Sequence, residues 1–306
     1  MHSHRKPLRT YWTPRYWPTW LGIAVLRLVV LLPQRTRMKV GRFLGRLARR
    51  VLGTRVHVVQ RNLELCFPEL DEVARAELEL RHFESLGMGV IELGVTWWCS
   101  DTELASLVEL RGMEHVHAAL EQGNGILMWS GHFATAEIAG TLLKPEVPPI
   151  AAMYRPSKNA LNDQIMRRCR GRSVSELIMK NSVRKLLKAL KQNRPVWYAA
   201  DQAYDRKGTV IAPFFGEPAN TNTAVSQIAK VSKAAVVPFI PLRHDNGERY
   251  TLEFLPALEN FPSGDDEADA VRLNKLLETQ IRRAPEQYYW VHRRFKGRPE
   301  GYPDPY

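Results

Sequence analysis

The pattern of apolar and polar positions divides the chain into a helical first part and a second part in which strands and helices alternate. In the first part, apolar residues recur at spacings of three and four, as in amphipathic helices, for example at Phe83, Leu86, Val90 and Leu93. Asp71 precedes this stretch and is a suitable helix N-cap. We therefore predict that residues 37–120 are largely helical, beginning with a basic amphipathic helix.

The second part, residues 121–306, contains short apolar runs bounded by turn residues. These runs predict strands at 125–131, 147–154, 195–200, 234–242 and 249–258. Helical patterns lie between or after them at 157–170, 180–193, 221–232 and 267–284. Because strands that alternate with helices are typical of α/β proteins, we predict an α/β core with a mixed or mostly parallel sheet flanked by helices.

An apolar segment from Trp17 to Pro33 predicts a membrane anchor, at about residues 17–35, within an N-terminal region of residues 1–36. The segment is slightly shorter than the ~20 residues that a helix needs to cross the hydrocarbon, and it contains Arg27. A tilted single span and a helix lying in the membrane interface both fit it. The alternative is a buried helix of a soluble protein.

Positive charge follows this apolar segment. Residues 35–55 carry eight Lys or Arg residues, and the whole chain has a net charge of +12. Apolar residues recur at helical spacing within the same stretch, so that it predicts a basic amphipathic helix. Such a helix is attracted to anionic lipid headgroups, and the excess of positive charge places the body of the protein on the cytoplasmic side. Charge alone is equally compatible with a nucleic acid or an acidic protein partner.

The sequence contains no motif for a metal, a disulfide framework or a nucleotide. The three cysteines are widely spaced, and there is neither a Walker A loop nor a GxGxxG loop. We therefore expect no metal site and no cofactor.

His132 and Glu137 are the most informative pair of chemical groups. Histidine is the side chain best suited to accept a proton near neutral pH, and a carboxylate can orient its ring. Five residues along a regular helix leave two side chains roughly 140° apart, so the pair can meet only if His132 lies at or before the helix start. Gly131 and the preceding strand place His132 at the carboxyl edge of the sheet, where α/β proteins bind ligands. His-x4-Glu is also common by chance.

Many further blocks resemble the late acyltransferases of lipid A biosynthesis in Gram-negative bacteria, and most of all the branch that transfers laurate. The similarity covers nearly the whole chain and includes His132, Glu137 and the following segments: YWPTWLG at 16–22, RNLELCFPEL at 61–70, HFESLGMG at 82–89, GMEH at 112–115, YRP at 154–156, VWYAADQ at 196–202, VVPFIP at 236–241 and PEQYYWVHRRFKGRPEG at 285–301.

This resemblance implies an inner-membrane enzyme that transfers a fatty acyl group from acyl carrier protein to a hydroxyacyl chain of Kdo2-lipid IVA. His132 would be the general base and Glu137 the carboxylate that orients it. Arg155 matches a family position associated with substrate binding, and a guanidinium suits phosphate or carboxylate. Asp201 and Gln202 follow the strand at 195–200 and are further candidates for binding the acceptor or ordering Arg155.

The acidic carrier protein requires a basic docking surface. The predicted helix at 180–193 directs Lys185 and Lys188 away from its apolar face, and Arg167 and Arg168 belong to a second basic cluster. Each of these two clusters also fits an ordinary solvated surface.

Three alternatives remain open from the sequence. A glycerophospholipid acyltransferase shares the His-x4-acid motif, although its branch normally has Asp and a Gly-Thr-Arg motif downstream of the histidine. Here the only such tripeptide, at residues 53–55, lies upstream. A nucleic-acid-binding protein would need a recognition module, and none is found. An inactive membrane scaffold is the third alternative, and a donor other than laurate also fits.

Overall fold

The computed structural model describes residues 7–143, 146–203, 208–244 and 247–306, so the first six residues of the predicted N-terminal region lie outside it. The helices are α1 (Trp17–Val29), α2 (Gln34–Val51), α3 (Gly53–Cys66), α4 (Glu72–Trp98), α5 (Asp101–Ala105), α6 (Met113–Glu121), α7 (Ala136–Leu143), α8 (Ala160–Ser173), α9 (Val183–Lys191), α10 (Ala224–Ser232) and α11 (Asp266–Arg283). Short 3₁₀ turns occupy Leu8–Tyr11, Pro14–Tyr16 and Pro285–Gln287.

The strands are β1 (Val108–Arg111), β2 (Ile126–Ser130), β3 (Ala151–Tyr154), β4 (Glu176–Met179), β5 (Pro195–Ala199), β6 (Thr209–Phe214), β7 (Glu217–Asn222), β8 (Ala235–Arg243) and β9 (Tyr250–Phe254). Seven of them form one sheet in the order β1-β9-β8-β2-β5-β3-β4, and β6 pairs with β7 in a hairpin. Only the β8–β9 pairing in the large sheet is antiparallel. The predicted α/β class, with a mixed sheet flanked by helices, is confirmed.

Four strands, β1, β4, β6 and β7, were not predicted, and two of them lack a clear apolar pattern. β1 is a short edge strand whose exposed and half-buried residues alternate, and it interrupts the region predicted to be helical. β7 has the sequence EPANTN, which is mostly polar. Its role in the hairpin depends on the turn at Phe215 and Gly216, where both residues have positive φ angles.

The helical first part wraps the sheet and is joined to it by a buried ion pair. Asp71 caps α4, as predicted, by accepting a hydrogen bond of 2.8 Å from the amide of Ala74. Farther along α4, Glu92 receives two hydrogen bonds from Arg243 of β8, and both side chains are at most 2% exposed. Because a buried charge without its partner is strongly unfavourable, this pair fixes the position of α4 on the sheet.

The first two helices pack onto α4 in different ways. α2 approaches so closely that a Cβ atom at Gly87 would lie 2.1 Å from the carbonyl oxygen of Gly41. α1 is only 13 residues long, and its residue Leu26 and the following Val30 are buried against the helical region. Within the described ranges, no helix has both the length and the apolar character needed to cross a bilayer.

Candidate active site

The carboxyl ends of two neighbouring strands bring His132 and Asp201 together. In the central pairing of the sheet, Ser130 of β2 lies opposite Ala199 of β5. His132 and Asp201 each follow their strand by two residues, so they occupy corresponding positions at the same edge. Gly131, between strand and histidine, lies against the side chain of Leu277, because a Cβ atom there would be 2.6 Å from its Cδ1.

Asp201 holds His132 through both its backbone and its ring. The amide of His132 donates a hydrogen bond of 3.0 Å to Oδ2 of Asp201. The other carboxylate oxygen, Oδ1, hydrogen bonds to Nδ1 of the imidazole. The Asp201 side chain is only 2% exposed, whereas that of His132 is 38% exposed. The arrangement leaves Nε2 as the ring nitrogen that can exchange a proton with a ligand.

The electrostatics of this pair favour an ionised carboxylate beside a basic imidazole. Burial by itself would lower the pKa of His132, but attraction and hydrogen bonding to Asp201 raise that pKa above its ordinary value. Burial would likewise raise the pKa of Asp201, yet the charge and the hydrogen bonds of His132 hold it well below its ordinary value. His132 is therefore a stronger base than a free imidazole.

The C-terminal segment supports the loop that carries His132. The amide of Tyr289 donates to the carbonyl oxygen of His132 at 3.0 Å, and the amide of Ala134 donates to that of Gln287 at 2.8 Å. The buried side chain of Tyr288 also helps to lower the pKa of the Asp201 carboxyl. Nothing in the local sequence pattern around Tyr288 indicates this effect on Asp201.

The structure places Glu137 away from the contact that the sequence suggested. His132 does precede the start of α7, but the Glu137 carboxylate is engaged by Arg170 of α8 through two hydrogen bonds, one of 3.0 Å from Nε. It is Asp201 that bonds Nδ1 of the imidazole. Arg170 lies on the same helix as Arg167 and Arg168, and its charge has partners in Glu137 and the ring of Tyr154.

Arg155 and Gln202 lie at the same edge of the sheet as His132. Arg155 directly follows β3, which neighbours β5, and it is exposed. Gln202 is half-buried and lines a cleft together with His132 and Asp201. Three adjacent strands thus deliver His132, Asp201 and Arg155 to one edge.

The candidate docking residues differ in exposure. Lys185 and Lys188 lie on the exposed side of α9, whose opposite side buries Leu186 and Leu190. Arg167 and Arg168 of α8 are half-buried, and Arg167 has a partner of its own.

The cysteines are poorly suited to form a covalent intermediate. Cys66 and Cys99 are buried, and burial raises the pKa of Cys169 to about 12. Among the residues described, no three His, Cys, Asp or Glu side chains are grouped so that they could bind a metal ion.

Comparison with known proteins identifies the family. The family described as bacterial lipid A biosynthesis acyltransferase matches residues 5–297. The lipid A biosynthesis lauroyltransferase of Escherichia coli is 42% identical over 294 residues, which cover 96% of each chain. The palmitoleoyltransferase of the same organism is 36% identical over 96% of this chain and 95% of its own length. Its myristoyltransferase is 26% identical over 96% and 91%.

These similarities extend over almost the whole chain and include the segments of both His132 and Asp201. They agree with a histidine and a carboxylate placed for proton transfer at the edge of an α/β sheet, and they favour none of the three alternatives that the sequence left open. The protein is thus an enzyme of the bacterial lipid A biosynthesis acyltransferase family.

Proposed function

We propose that this enzyme transfers a fatty acyl group from acyl carrier protein to a hydroxyl on a hydroxyacyl chain of Kdo2-lipid IVA, and that laurate is the preferred acyl group. The observation that carries the proposal is the His132–Asp201 pair, whose free Nε2 stands at the ligand-binding edge of the sheet. Nε2 accepts the hydroxyl proton as the oxygen attacks the thioester carbonyl. The carbon–sulfur bond then breaks, and the imidazolium returns the proton to the departing thiolate.

Arg170 and Glu137 have a supporting role in this proposal. Arg170 lies close enough to His132 to lower its pKa, which puts a positive charge beside the reacting groups. The Glu137 carboxylate balances that charge and fixes the direction of the guanidinium. Glu137 would therefore act on catalysis through Arg170.

Arg155 and Gln202 would bind the acceptor. Arg155 is exposed at the end of β3, and its guanidinium suits the phosphate or carboxylate groups of Kdo2-lipid IVA. Gln202 can donate or accept a hydrogen bond from the cleft that holds His132.

Chain-length choice is proposed from similarity, because the lauroyltransferase shares more identity with this chain than the palmitoleoyl and myristoyl enzymes do. The test is to incubate the purified enzyme with Kdo2-lipid IVA and separate acyl carrier protein thioesters of different chain lengths. Mass spectrometry should show one added lauroyl group at the highest rate. Faster transfer of another acyl chain would show that laurate is not the preferred donor group. No transfer from any thioester would refute the proposed reaction.

The exposed face of α9 is the preferred dock for the acidic carrier protein. β4 is parallel to β3, so α9 begins at the edge of the sheet that carries His132. Lys185 therefore lies in the first turn of α9, at the same edge of the sheet as His132, with Lys188 one turn farther along. Their exposure and charge fit an acidic partner better than the half-buried Arg167 and Arg168 do.

Reversing both charges of this dock, with Lys185→Glu and Lys188→Glu, should raise KM for the acyl carrier protein thioester by about tenfold. KM for the lipid acceptor should change little, and added salt should reduce the difference between variant and parent. Steady-state kinetics with each substrate varied in turn measures this. Lys275→Glu with Lys296→Glu, two exposed lysines elsewhere, is the matched control. An equal effect of the control pair would contradict a dock on α9.

We propose that α1 and α2 attach the enzyme to the inner membrane by lying in its interface, with the catalytic body on the cytoplasmic side. α1 is about 20 Å long, well short of the ~30 Å hydrocarbon core. Its outer side exposes Leu21 by 67% and Leu28 by 65%, while α2 exposes Phe43 by 64% among its arginines. An apolar face bordered by basic residues is suited to anionic lipid.

The position of this apolar face also serves the reaction. Asn159, just beyond β3 at the edge that carries His132, donates a hydrogen bond of 3.2 Å to Thr19 of α1. The first turns of α1 therefore lie near the active-site edge. A lipid acceptor held in the membrane could reach His132 without leaving it.

Placing charge on this face, with Leu21→Glu and Leu28→Glu, should release most of the enzyme from vesicles that contain anionic phospholipid. The fold should persist because both side chains are exposed, whereas deletion of residues 1–36 would remove Leu26 and Val30 from the core. Vesicle flotation measures binding, and Val231→Glu, at a valine 68% exposed on α10, serves as the control. Flotation as complete as that of the parent would show that the attachment is elsewhere.

A further inference from the structure

The cleft beside His132 contains two buried nitrogen atoms that have no hydrogen-bond partner within the described part of the chain. They are Nε of Arg294 and Nε2 of His292. Both residues line the same cleft as His132 and Asp201. Because buried polar atoms are nearly always paired in folded proteins, two unpaired nitrogens in a ligand cleft point to an acceptor atom supplied by the ligand.

Arg294 is fixed in this cleft by neutral groups. It is 2% exposed, and its terminal nitrogens donate to the carbonyl oxygen of Asn220 at 2.9 Å, to Oγ1 of Thr221 at 3.1 Å and to Oδ1 of Asn274 at 3.3 Å. Its guanidinium carbon lies 4.7 Å from the centre of the Phe214 ring. The side chain is held rigidly, and its Nε–H donor is unpaired.

His292 is held by its backbone and remains uncharged at neutral pH. Its carbonyl oxygen accepts hydrogen bonds from Nδ2 of Asn62 at 2.8 Å and from the amide of Arg294 at 2.9 Å. Burial lowers the pKa of His292 to about 4, the opposite of the change at His132. The cleft thus contains one basic imidazole and one neutral imidazole, and the latter is a hydrogen-bonding group without a role in the proton transfer.

We propose that His292 and Arg294 form a subsite for the carbonyl oxygen of the hydroxyacyl chain that is acylated. This inference rests on the proposed function. In a 3-hydroxyacyl chain one methylene separates the hydroxyl-bearing carbon from the carbonyl carbon, so the two oxygens lie close together in the chain. His132 receives the hydroxyl, while Nε2–H of His292 and Nε–H of Arg294 donate to the carbonyl oxygen. The enzyme would thereby select a β-hydroxy carbonyl group over a simple alcohol.

The test compares two acceptors and three forms of the full-length enzyme with the same acyl carrier protein thioester. One acceptor is Kdo2-lipid IVA, and the other is a synthetic analogue in which a methylene replaces that carbonyl. The parent enzyme should prefer the carbonyl acceptor by roughly tenfold or more in kcat/KM. His292→Phe, which keeps the ring volume but removes the donor, should abolish most of the preference by slowing only the carbonyl acceptor. His292→Gln should restore part of it.

Two results would overturn the subsite. One is a parent enzyme that acylates both acceptors equally well. The other is a His292→Phe enzyme that loses the same factor with both acceptors, because a structural role or a contact with the thioester would act in that way. Failure of the parent enzyme to acylate either acceptor would instead refute the proposed function on which the subsite depends.

Discussion

Replacing His132 by alanine should lower kcat by about 10²–10⁴-fold, the contribution that a general base typically makes. This corresponds to about 3–5 kcal/mol of activation free energy. The loss should fall on kcat because Nε2 is needed when the hydroxyl attacks, while both substrates bind mainly through other residues. Measurement of kcat and of both KM values for the purified variant tests this expectation.

The His132→Ala enzyme should remain folded, because the side chain is 38% exposed and its backbone bonds to Asp201 and Tyr289 persist. Circular dichroism and thermal unfolding provide the control. A folded variant that acylates the lipid at nearly the parent rate would rule out His132 as the base.

Asp201→Asn should lower kcat by about 10²-fold or more, although asparagine has nearly the same shape. The substitution removes the charge that stabilises the imidazolium, and its amide can present an N–H to Nδ1 and thereby favour the wrong tautomer. Combined with His132→Ala, it should add little further loss, because the two residues act as one unit. Steady-state kinetics of the single and double variants measures both effects.

Glu137→Gln is the matched comparison, since it removes a carboxylate charge from the same edge of the sheet. Its effect should be smaller than that of Asp201→Asn, because Glu137 contacts Arg170 and leaves the His132–Asp201 hydrogen bonds in place. Two results together would favour the pairing of His132 with Glu137 that the sequence suggested. Glu137→Gln would lower kcat as much as Asp201→Asn does, and adding Glu137→Gln to His132→Ala would cause no further loss.

The comparison of Glu137 with Asp201 shows how far sequence reasoning extends at this site. His132 could be found because it follows a mostly apolar strand and a glycine. Its partner could not, because Asp201 is 69 residues away in the chain and is brought near by the pairing of β2 with β5. The sequence does show that Asp201 follows a predicted strand, and this position predicts that it lies at the carboxyl edge of the sheet. Strand order, which sets the neighbours, is decided by tertiary packing.

The same limit applies to Arg170, His292 and the edge strands. The arginines of α8 cannot be told apart from the sequence. Arg170 differs from its neighbours because Glu137 lies across from it in the folded protein. His292 lies in an irregular segment whose direction is set by Asn62 and Tyr289. By contrast, the central strands and the longer helices were predicted because burial on one or both faces leaves a periodic apolar pattern.

The most direct test of the His132–Asp201 pair is the pH dependence of kcat/KM for the parent and Asp201→Asn enzymes. The base is active when neutral, so kcat/KM should fall as the pH decreases through the pKa of His132. Burial and Arg170 lower that pKa, but Asp201 raises it by more, so the pKa of His132 lies above its ordinary value of 6.5. In the parent enzyme, the midpoint of the fall in kcat/KM should therefore lie above pH 6.5.

In Asp201→Asn the carboxylate that raises the pKa of His132 is gone. The fall of kcat/KM at acidic pH, the acidic limb of the profile, should therefore move to lower pH. Glu114→Gln, at an exposed carboxylate on α6, should leave the limb where it is in the parent. An acidic limb of Asp201→Asn that coincides with that of the parent would contradict the pairing of His132 with Asp201 in catalysis.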